Sequence, residues 1–325
     1  MKLAPWLDAP WRMLSEALNG GRLHHALLLA SPRGYGKRAL ADAFAAAALC
    51  TDRGADGHAC GRCRSCLLVA AGSHPDLVRI TFELRDDGKP RTELTIDQMR
   101  ALCQRLSLSS QFGGLQIALV DPVDAMNVNA ANALLKTLEE PSSATVLVLI
   151  ADAPERLPAT IRSRCRRIEL RAPSREEALE WLREQGVEAN VAASTLDASL
   201  GNPGQATAWI ADGTLALREE CAADLAALAA GRAQASTIAE RWAQDRADSR
   251  LWFAAVLARE EADALARGRR GRFGLTGRAE IPKLVAWFGR ANRARGLLST
   301  PLRGELVLLD LLRSWPAGER VSRRA

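Results

Sequence analysis

Short apolar runs and longer amphipathic stretches alternate through the first half of the chain. "HALLLA" (25–30), "DLVRI" (76–80), "LQIALV" (115–120), "ATVLVLI" (144–150) and "CRRIEL" (165–170) have the length and apolar character of strands in a sheet buried on both faces. Helical spacing runs between them over 37–50, 95–107 and 127–140. The last is the clearest, because Ala131, Leu134, Leu135 and Leu138 form one apolar stripe and Pro141 stops the helix. Strand and helix in alternation predict an α/β fold with a doubly wound parallel sheet.

After "RAPSREEA" the strand patterns largely disappear. "SREEALEWLREQG" offers Ser174 as an N-cap, Glu177 to complete a capping box and Gly186 at the exit. The expectation is a first domain over 1–172 and a small helical lid over 173–208. Residues 209–325, rich in Ala, Leu and Arg, read as a third, all-helical domain. Within it "RGRRGRFG" (267–274) is a basic loop between helices, and the tail "ERVSRRA" is expected to fray.

Composition narrows the class. The chain has 325 residues, enough for two or three domains. No run approaches the roughly 18 to 20 apolar residues of a membrane span. The start, "MKLAPWLDAPWRMLSEAL", interrupts its apolar residues with Pro, Asp, Arg and Glu, unlike a secretion signal. A soluble, cytoplasmic protein without a membrane partner is expected. The net charge of +6 permits a nucleic-acid or acidic-protein partner, but charge alone speaks of association and not of mechanism.

Seven cysteines in such a compartment are not a disulfide framework. Four of them, Cys50, Cys60, Cys63 and Cys66, are spaced C-x9-C-x2-C-x2-C between the first predicted helix and the second strand. Two C-x2-C turns can bring their sulfurs to one ion, with Gly54, Gly57 and Gly61 giving the backbone freedom to turn. Four thiolates leave no open position, so the expectation is structural Zn²⁺ rather than catalytic metal; four reduced surface thiols are the alternative. His58 reads as a bystander, and Cys103 and Cys221 as small buried hydrophobes.

"SPRGYGKRAL" (31–40) stands where a strand passes into a helix and nearly spells a phosphate-binding loop, G-x4-G-K-[ST]. Gly34, Gly36 and Lys37 are in place. Ser31 replaces the first glycine, and Arg38 replaces the Ser/Thr whose hydroxyl would ligate Mg²⁺. A guanidinium has no acceptor atom for a metal. Two readings stand: a degenerate loop with weak or no nucleotide binding through Lys37, or a glycine-rich turn without a ligand. "IALVDPVD" has the apolar strand and the aspartate, Asp121, of a metal-supporting segment, but Pro122 stands where many ATPases place a glutamate. ATP·Mg²⁺ hydrolysis by this chain is therefore not expected.

"ERLPATIRSRCRRIEL" carries Arg162, Arg164, Arg166 and Arg167. A solvated basic face is the ordinary reading; an arginine finger acting on a neighbour's γ-phosphate is the functional one.

"NALLKTLEEP" (132–141) and "LPATIRSRC" (157–165), combined with the four-cysteine insert after the phosphate-loop helix, resemble the bacterial clamp-loader subunits of the AAA+ class. The resemblance runs in register through about residue 210 and beyond that rests on helical character and length. It implies an AAA+ nucleotide-binding-type domain, a helical lid and a collar that joins five subunits in a ring. Arg38, Pro122, Gly204 and the missing threonine pair at "ADA" (151–153) make the chain similar to the non-hydrolysing delta prime branch, not to the gamma/tau motors. The Ser163-Arg164-Cys165 motif implies an arginine finger supplied in trans. Implied partners are gamma/tau and delta subunits and, through the complex, the sliding clamp and primed-template DNA of the DNA polymerase III holoenzyme. An active gamma/tau-like ATPase and a zinc-dependent DNA-binding module using "RGRRGRFG" are the alternatives.

Overall fold

The computed structural model of the chain describes residues 3–316 apart from 86, 90, 143, 276, 299 and 301; the tail expected to fray lies outside them. Two compact units emerge, Met1–Gln205 and Ala206–Ala325. The division falls three residues before the lid-to-collar boundary expected at 208/209.

In the first unit a short 3-10 turn, Pro5–Leu7, leads into α1 (Asp8–Asn19), followed by β1 (Ala26–Ala30), α2 (Lys37–Leu49), α3 (Arg64–Ala70) and β2 (Leu77–Ile80). Then come α4 (Ile96–Leu106), β3 (Gln116–Val120), α5 (Val128–Glu139), β4 (Thr145–Ala151), α6 (Ala159–Arg162) and β5 (Arg166–Glu169). After the sheet, and within the same unit, come α7 (Arg175–Glu184) and α8 (Ala189–Ala198), and α9 (Pro203–Ala211) runs across the division. Thr95 and Ser174 each close a capping box with Gln98 and Glu177. Asn127 caps α5 by accepting from the Ala130 N–H.

The five strands form one parallel sheet in the order β2-β3-β4-β1-β5, with Leu28 of β1 opposite Leu149 of β4 and Arg167 of β5. This is the doubly wound parallel sheet that the alternation of strand and helix predicts. Side chains alternate along each strand, so the sheet has two separate cores. Leu27, Leu29, Ile117, Leu119, Val146 and Val148 pack with Leu40 and Phe44 of α2 and Trp11 and Leu14 of α1. Leu28, Ala118, Val120, Leu147 and Leu149 pack with Met99 and Leu102 of α4 and Leu134 and Leu138 of α5.

Two strand expectations need correction. β2 and β5 are the edges, and neither is buried on both faces: β2 is mostly half-buried, and in β5 only Ile168 is buried while Arg166, Arg167 and Glu169 are exposed. An edge strand has one neighbour, and charge along it discourages pairing with another chain.

The second unit consists of α10 (Ala216–Ala229), α11 (Ala235–Gln244), α12 (Ala247–Ala266), α13 (Ile281–Leu297) and α14 (Gly304–Arg313). Its core includes Trp242, Phe253, Trp287 and Trp315. Arg250 is buried in α12, held by Asp245 and Glu220 at 2.6 and 2.9 Å. Cys221 is fully buried, and burial pushes its thiol up to about 12. Among the described residues no helix is long and apolar enough to cross a membrane.

Candidate functional site

In an open parallel sheet, ligands are taken beyond the carboxyl ends of the strands, where the chain order reverses. Here that crevice lies beyond β1, β4 and β3, and the loops after those strands deliver Ser31–Lys37, Asp152 and Asp121 to it. Gly34 and Gly36 have φ of 99° and 86°, the left-handed conformation that turns β1 into α2. Asp152 follows a strand that is apolar along most of its length. Its loop is pinned by Asp124, which accepts from the N–H groups of Asp152 and Ala153 at 3.0 and 2.9 Å.

The side chains at this crevice satisfy one another. Lys37 is 1% exposed. Its Nζ donates to the carbonyls of Ser31 (2.7 Å) and Pro32 (3.2 Å) and to the Asp152 carboxylate, which occupies all three ammonium protons. Arg38 grips Asp121 with two bonds of 2.7 Å and Asp152 with bonds of 3.0 and 2.9 Å. Two cations thus face two carboxylates. Burial alone would raise the Asp152 pKa, but the bonds from Arg38 and Lys37 more than reverse this and hold it below its ordinary value. Burial likewise works against the charge on Arg38, and the two aspartates overcome it.

Two further elements close over the loop. Trp6 donates from Nε1 to the Tyr35 carbonyl at 3.0 Å, and Leu7 lies against Gly36. From the chain at the start of α9, Asn202 Nδ2 donates to the Arg33 carbonyl at 2.8 Å, and the Gly204 N–H to the Gly34 carbonyl at 3.1 Å. A Cβ on Gly204 would collide with the Gly34 backbone. The glycine is thus more than the absence of an arginine: no side chain fits between the start of α9 and the loop.

The cysteine insert forms a second site. The sulfurs of Cys50, Cys60, Cys63 and Cys66 all lie within 4.8 Å of one another, with the 50–63 and 60–66 pairs at 3.9 and 4.0 Å. Tetrahedral zinc, with Zn–S near 2.3 Å, requires sulfurs about 3.8 Å apart, so this donor set fits a metal ion of that size. Cys50 ends α2, and Cys63 caps α3 while accepting from the Cys66 N–H. That bond, with further ones to Thr51, pulls the Cys63 thiol down to about 5. Cys50 Sγ accepts from the N–H groups of Asp52 and Cys60, and Cys60 Sγ from that of Cys63. Backbone N–H groups aimed at sulfur favour the thiolate, the form that binds metal, at Cys63, whereas burial pushes the Cys66 thiol up to about 12. His58 is outside this set but is not idle. It stacks on Trp11 at 4.0 Å, and Trp11 Nε1 donates to the Asp56 carbonyl, pinning the insert to α1.

Arg164 lies elsewhere. It shares a groove with His24 and His25, which precede β1, and with Arg166, which begins β5. These are amino-terminal strand ends, whereas the phosphate loop follows the carboxyl end of β1. Five residues of strand separate the two edges by roughly 17 Å. Arg164 is 36% exposed and pairs with Glu139, and Cys165 donates to the Ile161 carbonyl at 3.2 Å. Burial raises the Cys165 thiol to about 11. Of the neighbouring arginines, Arg167 pairs with Glu169 at 3.1 Å.

The sequence reading brought Gly34, Gly36, Lys37, Arg38 and Asp121 to one place but missed Asp152, the partner common to Lys37 and Arg38. The available signal was a lone acid directly after an apolar strand. It also missed Asn202, Glu139 and the part played by His58. Cys103 is half-buried, with its thiol toward the Ala133 carbonyl at 3.6 Å.

A family profile described as "DNA polymerase III, delta subunit" matches residues 7–174, more than half of the chain. A Pseudomonas aeruginosa protein named DNA polymerase III subunit delta′ is 47% identical over 180 residues, 55% of this chain and 52% of that protein. The chain belongs to the DNA polymerase III delta prime family. The Escherichia coli delta′ subunit is 38% identical over 210 residues, 64% of this chain and 61% of its own length. The match therefore spans between half and two thirds of these delta prime relatives. A Haemophilus influenzae tau/gamma subunit is 35% identical over 159 residues, 49% of this chain and 22% of that protein. In this delta prime family member the turn from β1 into α2 has its side-chain contacts made internally, by Lys37 and Arg38 with Asp121 and Asp152.

Proposed function

We propose that this chain is the non-hydrolysing stator of a DNA polymerase III clamp loader. It joins tau/gamma motor subunits and a delta subunit in a ring that uses ATP to place a sliding clamp on primed DNA. Its own nucleotide chemistry is absent, and Arg164 of the Ser163-Arg164-Cys165 motif acts as an arginine finger on the ATP of the adjacent motor subunit.

The observation that carries this reading is the closed set of Lys37, Arg38, Asp121 and Asp152. The lysine that would meet phosphate is bound to Asp152, and the aspartate that would hold Mg²⁺ is bound to Arg38. Arg164, by contrast, is partly exposed at the opposite ends of the strands and out of reach of its own loop, which supports a role toward a neighbour. Residues 1–172, 173–208 and 209–325 are assigned as the AAA+-type domain, the lid and the collar. Cys50, Cys60, Cys63 and Cys66 are assigned to structural zinc, which would cross-link the insert without exposing an open coordination site.

The DNA-binding alternative is disfavoured by the basic loop itself. Arg267 and Arg269 pair with Asp263 at 2.9 and 3.7 Å, and Arg272 pairs with Glu219, which lowers the charge available to phosphates. The test is a ring reconstituted with tau/gamma and delta subunits. Arg164→Ala should lower clamp-dependent ATP turnover at least 10-fold while the ring still assembles. Turnover of Mg·ATP by the purified chain alone would overturn the assignment.

A further inference from the structure

Arg164 does not stand free. Its Nη1 donates to the Thr160 carbonyl at 3.0 Å, and its Nη2 meets Glu139 Oε1 at 2.5 Å. The two acceptors belong to different elements: Thr160 lies in the short α6 that leads to the arginine, and Glu139 is the last residue of α5. α5 is held in the core by Ala130, Ala131, Leu134 and Leu138, so its end is a fixed post. The groove around Arg164, about 530 Å³ in volume, is lined by His24, His25 and Arg166, with Glu139 as the one carboxylate among the described residues.

The geometry of the guanidinium decides what that carboxylate does. A guanidinium has five N–H donors in one plane. The bonds to Thr160 and Glu139 use two, and three remain for an incoming anion. A phosphate oxygen and Glu139 can therefore be served together, with the carboxylate fixing the plane and direction of the fork.

We propose that Glu139 is a positioning residue for Arg164, holding the guanidinium in the orientation in which it meets the phosphates of a neighbouring subunit's nucleotide. This rests on the reading of Arg164 as a finger acting in trans. Without Glu139 the arginine keeps one backbone anchor and samples other rotamers, so a smaller fraction of encounters is productive. The pair is 36% and 49% exposed, and both partners share their hydration with solvent, so the effect is moderate. Turnover should fall about three- to tenfold, no more than on loss of the finger itself.

The experiment uses the full-length chain in a ring reconstituted with tau/gamma and delta subunits, with ATP turnover measured in the presence of clamp and primed DNA. Glu139→Ala should lower kcat about three- to tenfold with KM for ATP unchanged. Glu139→Gln, which is isosteric and keeps a neutral acceptor, should fall less. In an Arg164→Ala ring, adding Glu139→Ala should change nothing, because the group it orients is gone. A purely structural role would instead slow both backgrounds equally. If Arg164→Ala slows turnover and Glu139→Ala does not, or if the two losses multiply, the positioning role is wrong while the finger stands. If Arg164→Ala itself leaves turnover unchanged, both readings fall.

Discussion

Asp152→Asn removes one negative charge from the closed phosphate loop and almost no volume. Lys37, 1% exposed, keeps the carbonyls of Ser31 and Pro32 but loses its counterion. Arg38 keeps Asp121 and loses its charged bonds to Asp152. Breaking a buried ion pair by removing one partner costs about 3–5 kcal/mol. The Asp152 side chain is 28% exposed and two carbonyls still serve the ammonium, which brings the expected cost to about 2–3 kcal/mol. In a unit spanning Met1–Gln205 this corresponds to a Tm lower by about 4–12 °C. Thermal unfolding at pH 7 followed by tryptophan fluorescence is suitable, since Trp6 and Trp11 lie in the core of that unit. Lys37→Met added to Asp152→Asn removes the stranded charge and should recover part of the loss. The pH dependence has a definite sign: the folded Asp152 pKa lies below its ordinary value of 3.8. The stabilisation is fully present above that value and is lost as pH falls through the lower, folded one. The Tm gap should therefore hold at neutral pH and close only in strong acid. An Asp152→Asn chain that melts with the wild type at pH 7, or a double variant no more stable than the single one, would refute the reasoning.

Gly204→Ala forces a methyl group into the Gly34 backbone, so it should cost about 1–3 kcal/mol and increase hydrogen exchange at the Gly204 amide, which native-state exchange would detect. The purified chain should carry about one zinc per molecule by elemental analysis, and Cys63→Ser should abolish it, since one thiolate of the four is then missing. A fully retained zinc content in Cys63→Ser would remove the cluster from consideration. Chelation should lower the melting temperature of the wild type, because a structural zinc site contributes about 10–16 kcal/mol of apparent binding free energy to folding.

The sheet was legible because its central strands are apolar throughout and its helices carry their own signals: the stripe of α5 and the caps Thr95 and Ser174. The edges were misjudged because an apolar run does not report how many neighbours a strand has. The cysteine cluster was legible from spacing, since its ligands lie within 17 positions of one another. Lys37 with Asp152 and Arg164 with Glu139 were not, because 115 positions separate the first pair and only the parallel order of β1 and β4 brings it together. The second is joined by the path of the chain from α5 through β4 to α6. Neither pairing leaves a local pattern. In the sequence Arg38 reads only as a residue without a metal-binding hydroxyl; what its guanidinium holds becomes visible only once Asp121 and Asp152 lie on either side of it.

That arrangement also limits how this sequence can change. Restoring a hydroxyl at position 38 alone would leave Asp121 and Asp152 facing each other without the cation that bridges them. Changing Asp152 alone would strand Lys37, and either change would leave the start of α9 seated on Gly34 through Gly204. Each of these single changes is therefore expected to lower stability. The four side chains are thus coupled: a change at one is expected to cost stability until the others change with it.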